Sequence, residues 1–357
     1  QFPPYDGQLR LDVYTHISSG ANMVEYWHWH SLHYGQETYW KGVLGHDLQP
    51  GRTYEEVSRT AHELQRVGPE IADLHIKNQV AILYSRDSAN GIDYMKFSDK
   101  VNYFTILHQM YDVLYHANVG VDFVFPESTN LSDYKVVVVP PLYISTDATL
   151  NRLSEYVKNG GRVVMAFKSG FGNEYSTIRW EMMPGPLKEA AGFHYQEFSS
   201  LKQALPLKGD PFQVVAENKV SEWAEMLIPD TAKALAYYDH PFFEKYPAVT
   251  RNEFGKGSLI YEGTVLSKEI QKAVLVSVLK DAGLFGPDQA LPATVHIKSG
   301  KNRQGKTLHF LLNYSSIPQM ASYSYPDGIN LLSQTAAVNK GQSILLQPWD
   351  LAIIEEK

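Results

Sequence analysis

Between Tyr26 and Asp47 the chain reads YWHWHSLHYGQETYWKGVLGHD. This stretch gathers Trp27, Trp29 and Trp40, the histidines His28, His30, His33 and His46, three tyrosines, and the carboxylate of Glu37. Indole faces can stack on the C–H faces of a pyranose, while imidazole and carboxylate hydrogen-bond its hydroxyls. A carboxylate in such company suits attack on an anomeric carbon. The plainer reading stands beside it: aromatics that follow a strand often serve packing, and a lone Glu is commonly a solvated surface group. Retaining sugar cleavage needs a second carboxyl group about 5–5.5 Å from the first. Glu25 is a weaker candidate nucleophile because it falls within a predicted strand. No other carboxylate in the chain takes a comparable position after such a strand. His28, His30 and His33 also raise a metal reading, but no second cluster at ligand spacing accompanies them. No metal or other cofactor is expected.

Elements must hold this stretch in place. Leu11, Tyr14 and Ile17 recur at helical spacing, with Gly20 suited to the helix end. The run ANMVEYWHW then reads as a buried strand. Apolar Val57, Ala61, Leu64, Ile71 and Leu74 predict a helix over 53–74, with Glu55, Glu56, Arg59, Glu63 and Arg66 largely opposite and a break or kink at Pro69. Helix, strand, functional loop and helix make a unit of a β/α barrel, whose reacting groups sit at strand C-terminal ends. A barrel has eight such units and this chain supplies about two. The opening Gln1-Phe2-Pro3-Pro4 fits a piece of a longer protein.

The next 200 or so residues change character. QVAILYS (79–85), VDFVFPE (121–127), KVVVVPPLYI (135–144), RVVMAFKSG (162–170) and GSLIYEGT (257–264) read as strands. Amphipathic helices are predicted over 101–118, 150–158 and 269–284. Val-rich strands between helices mean a parallel sheet covered on both faces. The expectation is a flavodoxin-like open sheet of about five or six strands. Beyond residue 289, TVHIKSG, KTLHFLLNYS, QSILLQPWD and LAIIEEK carry strand spacing with turn residues between, which predicts a small antiparallel β-sandwich. The fold class is thus α/β in three parts: the end of a (β/α)8 barrel over 1–75, an open parallel sheet over 76–288 and the sandwich over 289–357.

Glycine-rich phosphate loops are not in evidence. KSGFGNE (168–174) and GKGS (255–258) match neither nucleotide-binding pattern and read as turns. The middle region has no nucleophilic Cys and no G-x-S-x-G elbow. It looks like a catalytic fold without its catalytic group, which favours a scaffold or oligomerisation role.

Composition sets outer bounds. The 357 residues are 44% hydrophobic and 20% charged with a net charge of −7, an ordinary globular balance. No basic cluster suits nucleic acid or an anionic membrane surface, and no apolar run approaches bilayer length. Cysteine is absent, which removes disulfides and thiolate chemistry and fits a reducing compartment. A cytoplasmic location is the expectation.

The stretch from Tyr26 to Asp47 resembles the last barrel strand and loop of glycoside hydrolase family 42 β-galactosidases. In that family an aromatic-x-Trp pattern precedes a Gly-x-Glu whose Glu is the nucleophile. Glu37, Tyr39, His46 and Trp29 match the pattern; His30 and Trp40 stand where many members have Arg and His. MAFKSGFGNEYSTIRWEMMPGPLKEAAGF is similar to the family's middle domain, and FLLNYS (310–315) and LQPWDLAIIE (346–355) to its C-terminal sandwich. The resemblance implies a retaining enzyme acting on terminal β-D-galactosyl residues, with Glu37 as nucleophile and Trp29, His30, Tyr39, Trp40 and His46 shaping the sugar pocket. It also implies a homotrimer and an acid/base Glu on an earlier part of the barrel that this chain lacks. The isolated chain is therefore expected to be inactive, and its rival role is assembly alone.

Overall fold

Leu11, Tyr14 and Ile17 line the buried face of helix α1 (Gln8–Ile17) in the computed structural model, which describes residues 2–333 and 336–357. Helix α2 (Arg52–Ile71) runs two residues past Pro69 before its end. Its buried face departs from the expected one: Glu56, Thr60, Val67 and Ile71 are buried, while Ala61 is exposed. Glu56 turns inward because its Oε1 accepts the backbone N–H of Arg10, 3.1 Å away in the first turn of α1. Unpaired amides and the helix dipole favour a carboxylate there. Arg10 in turn pairs with Glu63 and Asp350.

The strand expected over 21–29 is not formed. A strand needs a neighbour for its ladder, and among the described residues none pairs with residues 21–27. The segment's strand-like contacts among the described residues are those of His28 and Trp29, whose carbonyls accept from Val43 and Leu44 beside a bridge between His30 and Leu44.

The described residues fall into two compact units: Asn78–Phe285, and the residues up to Lys77 together with Gly286–Lys357. The unit from Asn78 is built on a seven-stranded sheet, one or two strands wider than expected. Its strands are β1 (Val80–Leu83), β2 (Val121–Val124), β3 (Val136–Val139), β4 (Arg162–Ala166), β6 (Lys233–Tyr237), β7 (Pro247–Phe254) and β8 (Gly257–Glu262). Strand β5 (Lys219–Glu225) belongs to a separate small sheet. The seven run in the order β6-β7-β8-β4-β3-β1-β2, parallel from β8 to β2 and antiparallel at the β6–β7–β8 edge. The two faces bury alternate residues, as a period of two requires. Val80, Ile82, Val136, Val138 and Val164 face one core with helices α3 (Arg86–Tyr94), α4 (Tyr103–His116) and α6 (Lys268–Asp281). Ala81, Leu83, Val137, Val139 and Met165 face the other, against helix α5 (Asp147–Lys158).

Helices α4 and α5 begin on side-chain caps, Asn102 to the Thr105 amide and Thr146 to the Thr149 amide. Helix α3 escaped the sequence pattern because SRDSANGIDY is mostly polar. It is started by Ser85, whose Oγ accepts the Ser88 amide, and a Cβ on its Gly91 would lie 2.5 Å from Ile144 Cδ1.

In the other unit a five-stranded antiparallel sheet forms from β9 (Val295–Lys301), β10 (Thr307–Asn313), β12 (Gly328–Asn330), β13 (Ala337–Val338) and β15 (Leu351–Glu356). Strands β11 (Gln319–Ser322) and β14 (Ser343–Leu346) make a two-stranded sheet beside it. Alternation again divides the faces. Leu308, Phe310, Leu312, Leu351 and Ile353 pack with Leu11, Tyr14, Ile17, Val67 and Ile71 of α1 and α2. Leu311, Ala352 and Ile354 instead meet Ala321, Tyr323 and Leu346. The first helices and the last strands thus share one core, although they are far apart in sequence.

Candidate active site

The loop from Trp27 to Asp47 is closed on itself by its backbone. Val43 donates to the His28 carbonyl at 2.8 Å and Leu44 to the Trp29 carbonyl at 2.8 Å; Ser31 donates to the Leu44 carbonyl at 2.9 Å. Ser31 is the hinge of this closure. It is buried, its Oγ donates to the Leu44 carbonyl at 3.1 Å, and it accepts the Gly42 amide at 3.1 Å. Gly42 lets the two arms approach: a Cβ there would fall 2.2 Å from the His30 carbonyl carbon. Sequence reading passed over both residues. The available signal was a small hydroxyl and a glycine set among bulky aromatics. The Trp27–His28 peptide bond is cis.

Glu37 sits in the turn at the far end of the loop, exposed, with its carbonyl accepting the Trp40 amide at 2.8 Å. Tyr39, Trp29 and Trp40 are 80%, 62% and 46% exposed. An exposed indole or phenol leaves a face open for stacking, whereas a core aromatic does not. Trp29 meets Tyr54 of α2 edge to face at 6.3 Å, and Trp40 meets His28 the same way at 6.2 Å.

The histidines form a chain of rings, His30 to His33 at 5.9 Å and His33 to His46 at 5.6 Å. Their nitrogens turn to backbone carbonyls. His30 Nδ1 lies 2.9 Å from the Ser31 oxygen, and His33 Nε2 lies 2.6 Å from the His46 oxygen. His46 Nε2 reaches the carbonyls of Thr38 at 2.8 Å and Leu32 at 3.1 Å. His46 therefore clamps the turn that carries Glu37. Nitrogens so engaged do not converge on one point, and among the described residues no group of three or more His, Asp or Glu could hold a metal ion. The structure thus brings His30 and His46 together through His33, and sets Trp29 and Trp40 against different partners. A cavity of about 350 Å³ lined by Lys135, Arg152, Tyr156 and Arg162, among others, contains none of these residues.

Comparison with known proteins bears on what this loop belongs to. Residues 78–285 match the family model described as the β-galactosidase trimerisation domain, and residues 1–67 match the β-galactosidase model itself. The chain belongs to the glycoside hydrolase family 42 β-galactosidases. It is 28% identical to β-galactosidase BgaA of Clostridium cellulovorans over 355 residues, which cover 99% of this chain and 52% of that protein. It is 31% identical to β-galactosidase BgaB of a Geobacillus strain over 264 residues, 73% of this chain and 39% of that protein. Among solved structures, the β-galactosidase of Bacillus circulans superposes with a TM-score of 0.90 at 23% identity, covering 100% of this chain and 54% of that one. The enzyme of Halorubrum lacusprofundi gives 0.81 at 25% identity, covering 99% and 51%. The chain spans about half the length of these relatives. Their shared fold is mixed α/β with several sheets, as described above.

Proposed function

We propose that this chain is the nucleophile-bearing half of a retaining β-galactosidase, with Glu37 as the nucleophile. The observation that carries the reading is a carboxylate placed on a self-closed aromatic loop inside the segment, residues 1–67, that matches the β-galactosidase model. In this reading residues 1–75 are the end of a (β/α)8 barrel, and the missing walls of the site belong to the rest of that barrel. The parallel order β2-β1-β3-β4 supports a flavodoxin-like middle domain, and residues 289–357 serve as an accessory sandwich.

The chemistry follows from one carboxylate on each side of the glycosidic bond. A Glu37 oxygen bonds to the anomeric carbon of a terminal β-D-galactosyl residue as the bond to the leaving oxygen breaks. An acid elsewhere in the enzyme gives that oxygen its proton. The same group, now a base, takes a proton from water, which attacks the anomeric carbon and frees Glu37. Trp29, Tyr39 and Trp40 would stack on the sugar. His46 acts on Glu37 by fixing its turn, and His30 would help to shape the sugar pocket.

The test is Glu37→Gln in the complete enzyme. Turnover of an aryl β-galactoside should fall by about 10³-fold or more while folding is unchanged. Near-normal turnover removes Glu37 from this role. The 357-residue chain alone should show no turnover, because on this reading the acid/base Glu lies outside it.

A second reading is supported by the middle unit: its family model is named for trimerisation. On that reading the chain's own contribution is a homotrimer scaffold in the cytoplasm. Light scattering of the purified chain tests it, and a monomer at every concentration counts against it.

A further inference from the structure

The cavity of about 350 Å³ that stands apart from the candidate site lies at the N-terminal edge of the parallel strands. Lys135 immediately precedes β3 and Arg162 opens β4, and the Arg162 amide donates to the Lys135 carbonyl at 3.2 Å. Helix α5 supplies Arg152 and Tyr156. Three cations thus line one hollow against a single carboxylate, Glu155, in a chain whose net charge is −7. A concave surface of one sign concentrates ions of the other.

Structural duties do not account for these cations. Helix C-termini draw basic side chains to their unpaired carbonyls, and α5 ends at this cavity. Its last four carbonyls, however, already have amide donors: Asn159 to Glu155 at 3.0 Å, Gly161 to Tyr156 at 2.9 Å, Gly160 to Val157 at 2.9 Å and Lys256 to Lys158 at 2.9 Å. Ion pairing explains them no better. Among the described residues no carboxylate lies within salt-bridge reach of Lys135, Arg152 or Arg162. Glu155 instead accepts the side-chain amide of Asn159 at 3.0 Å. Arg152 is held in place by one edge, its Nη1 donating to the Pro126 carbonyl at 2.5 Å, and its Nε and Nη2 have no acceptor among the described residues. Burial pushes the Tyr156 hydroxyl up, while the Arg162 amide and the Arg162 charge pull it down, so that charge is felt at the α5 wall.

A hollow of this size suits a small molecule more than a bare ion. On its rim the exposed Ser132 and Thr129 keep hydroxyls that bond no protein group among the described residues. Guanidinium and ammonium groups without a carboxylate partner are the usual holders of phosphate oxygens. We infer that this cavity binds a small phosphorylated molecule, its phosphate held by Lys135, Arg152 and Arg162 and its hydroxyl-bearing body resting against Ser132 and Thr129. The site lies in the 78–285 unit and does not depend on the role given to Glu37.

Isothermal titration calorimetry of the intact 357-residue chain tests this, with glucose 6-phosphate, inorganic phosphate and glucose as probes at fixed ionic strength. The expected result is one glucose 6-phosphate per chain, bound about five-fold more tightly than inorganic phosphate, which competes for the same site, and no binding of glucose. Lys135→Gln and Arg162→Gln should each weaken glucose 6-phosphate about ten-fold, because each takes a charge from the same hollow. No saturable binding of glucose 6-phosphate up to about 10 mM overturns the inference. So does inorganic phosphate or glucose that binds as tightly as the ester, or an affinity that neither substitution changes. If a variant does not fold, the three probes on the wild-type chain decide alone.

Discussion

The loop of residues 27–47 holds its shape through backbone amides, the Ser31 hydroxyl and the His46 ring, with Glu37 and most of its aromatics turned outward; the turn at Lys168 is tied by the buried side chains of Ser169 and Glu225. In the loop, Ser31, Gly42 and the His46 ring tie the main chain, and Glu37, Trp29, Tyr39 and Trp40 are left exposed. At Lys168 one buried carboxylate, Glu225, gathers four donors, and the amine lies over the Trp223 ring at 3.8 Å. The first arrangement presents groups for a ligand to complete. The second completes itself. Density of chemistry-bearing residues in sequence marked the first and missed the second.

That contrast makes unequal predictions. Removing the hub should do most harm. Glu225→Ala strands four buried donors and opens a void, so unfolding of the chain in urea should show a loss on the order of 3–5 kcal/mol. Near wild-type stability would mean that the turn is held by packing alone. The next effect depends on pH. Burial raises the Glu262 carboxyl to about 8, with a hydrogen bond from Gln271 pulling it down. Its folded-state value lies above its unfolded one, so the folded protein holds this proton more tightly. Its contribution is therefore full below the ordinary carboxylate range and is lost as pH rises towards 8, on the order of 1 kcal/mol per pH unit. Glu262→Gln should flatten that decline, gaining stability relative to wild type at pH 8 and little at pH 4. A parallel pH dependence in the variant would assign the decline to other groups. The smallest effect belongs to the loop. Ser31→Ala removes two hydrogen bonds at about 1 kcal/mol in total. In the complete enzyme it should lower kcat/KM about three- to ten-fold through a looser Glu37 turn, with the melting temperature almost unchanged. A large stability loss would show that the loop is as self-supporting as the Lys168 turn.

Much of this architecture was legible in the residues. Continuous apolar runs marked β1, β3 and β4, and runs of strand residues set between turn residues marked β10 and β15; all five are buried on both faces. Helix α3 was hidden because its cap and its glycine contact do the work that apolar spacing does elsewhere. The run over 21–29 has a strand's composition and no strand, since composition says nothing about whether a neighbour is at hand. Glu56 looked like a surface charge; only the approach of α1's first turn gives it a reason to be buried. In the candidate site the exposed aromatics and Glu37 were readable from type and spacing. Ser31 was not, because its significance lies in a bridging contact.

The central claim is that Glu37 bonds to the sugar. The measurement that reaches it most directly is trapping with a 2-deoxy-2-fluoro-β-galactoside in the complete enzyme, followed by peptide mapping of the stalled glycosyl ester. The account predicts a single labelled carboxylate, Glu37, within the peptide that carries Tyr39 and Trp40. A label on Glu25, or on a carboxylate outside this chain, contradicts it.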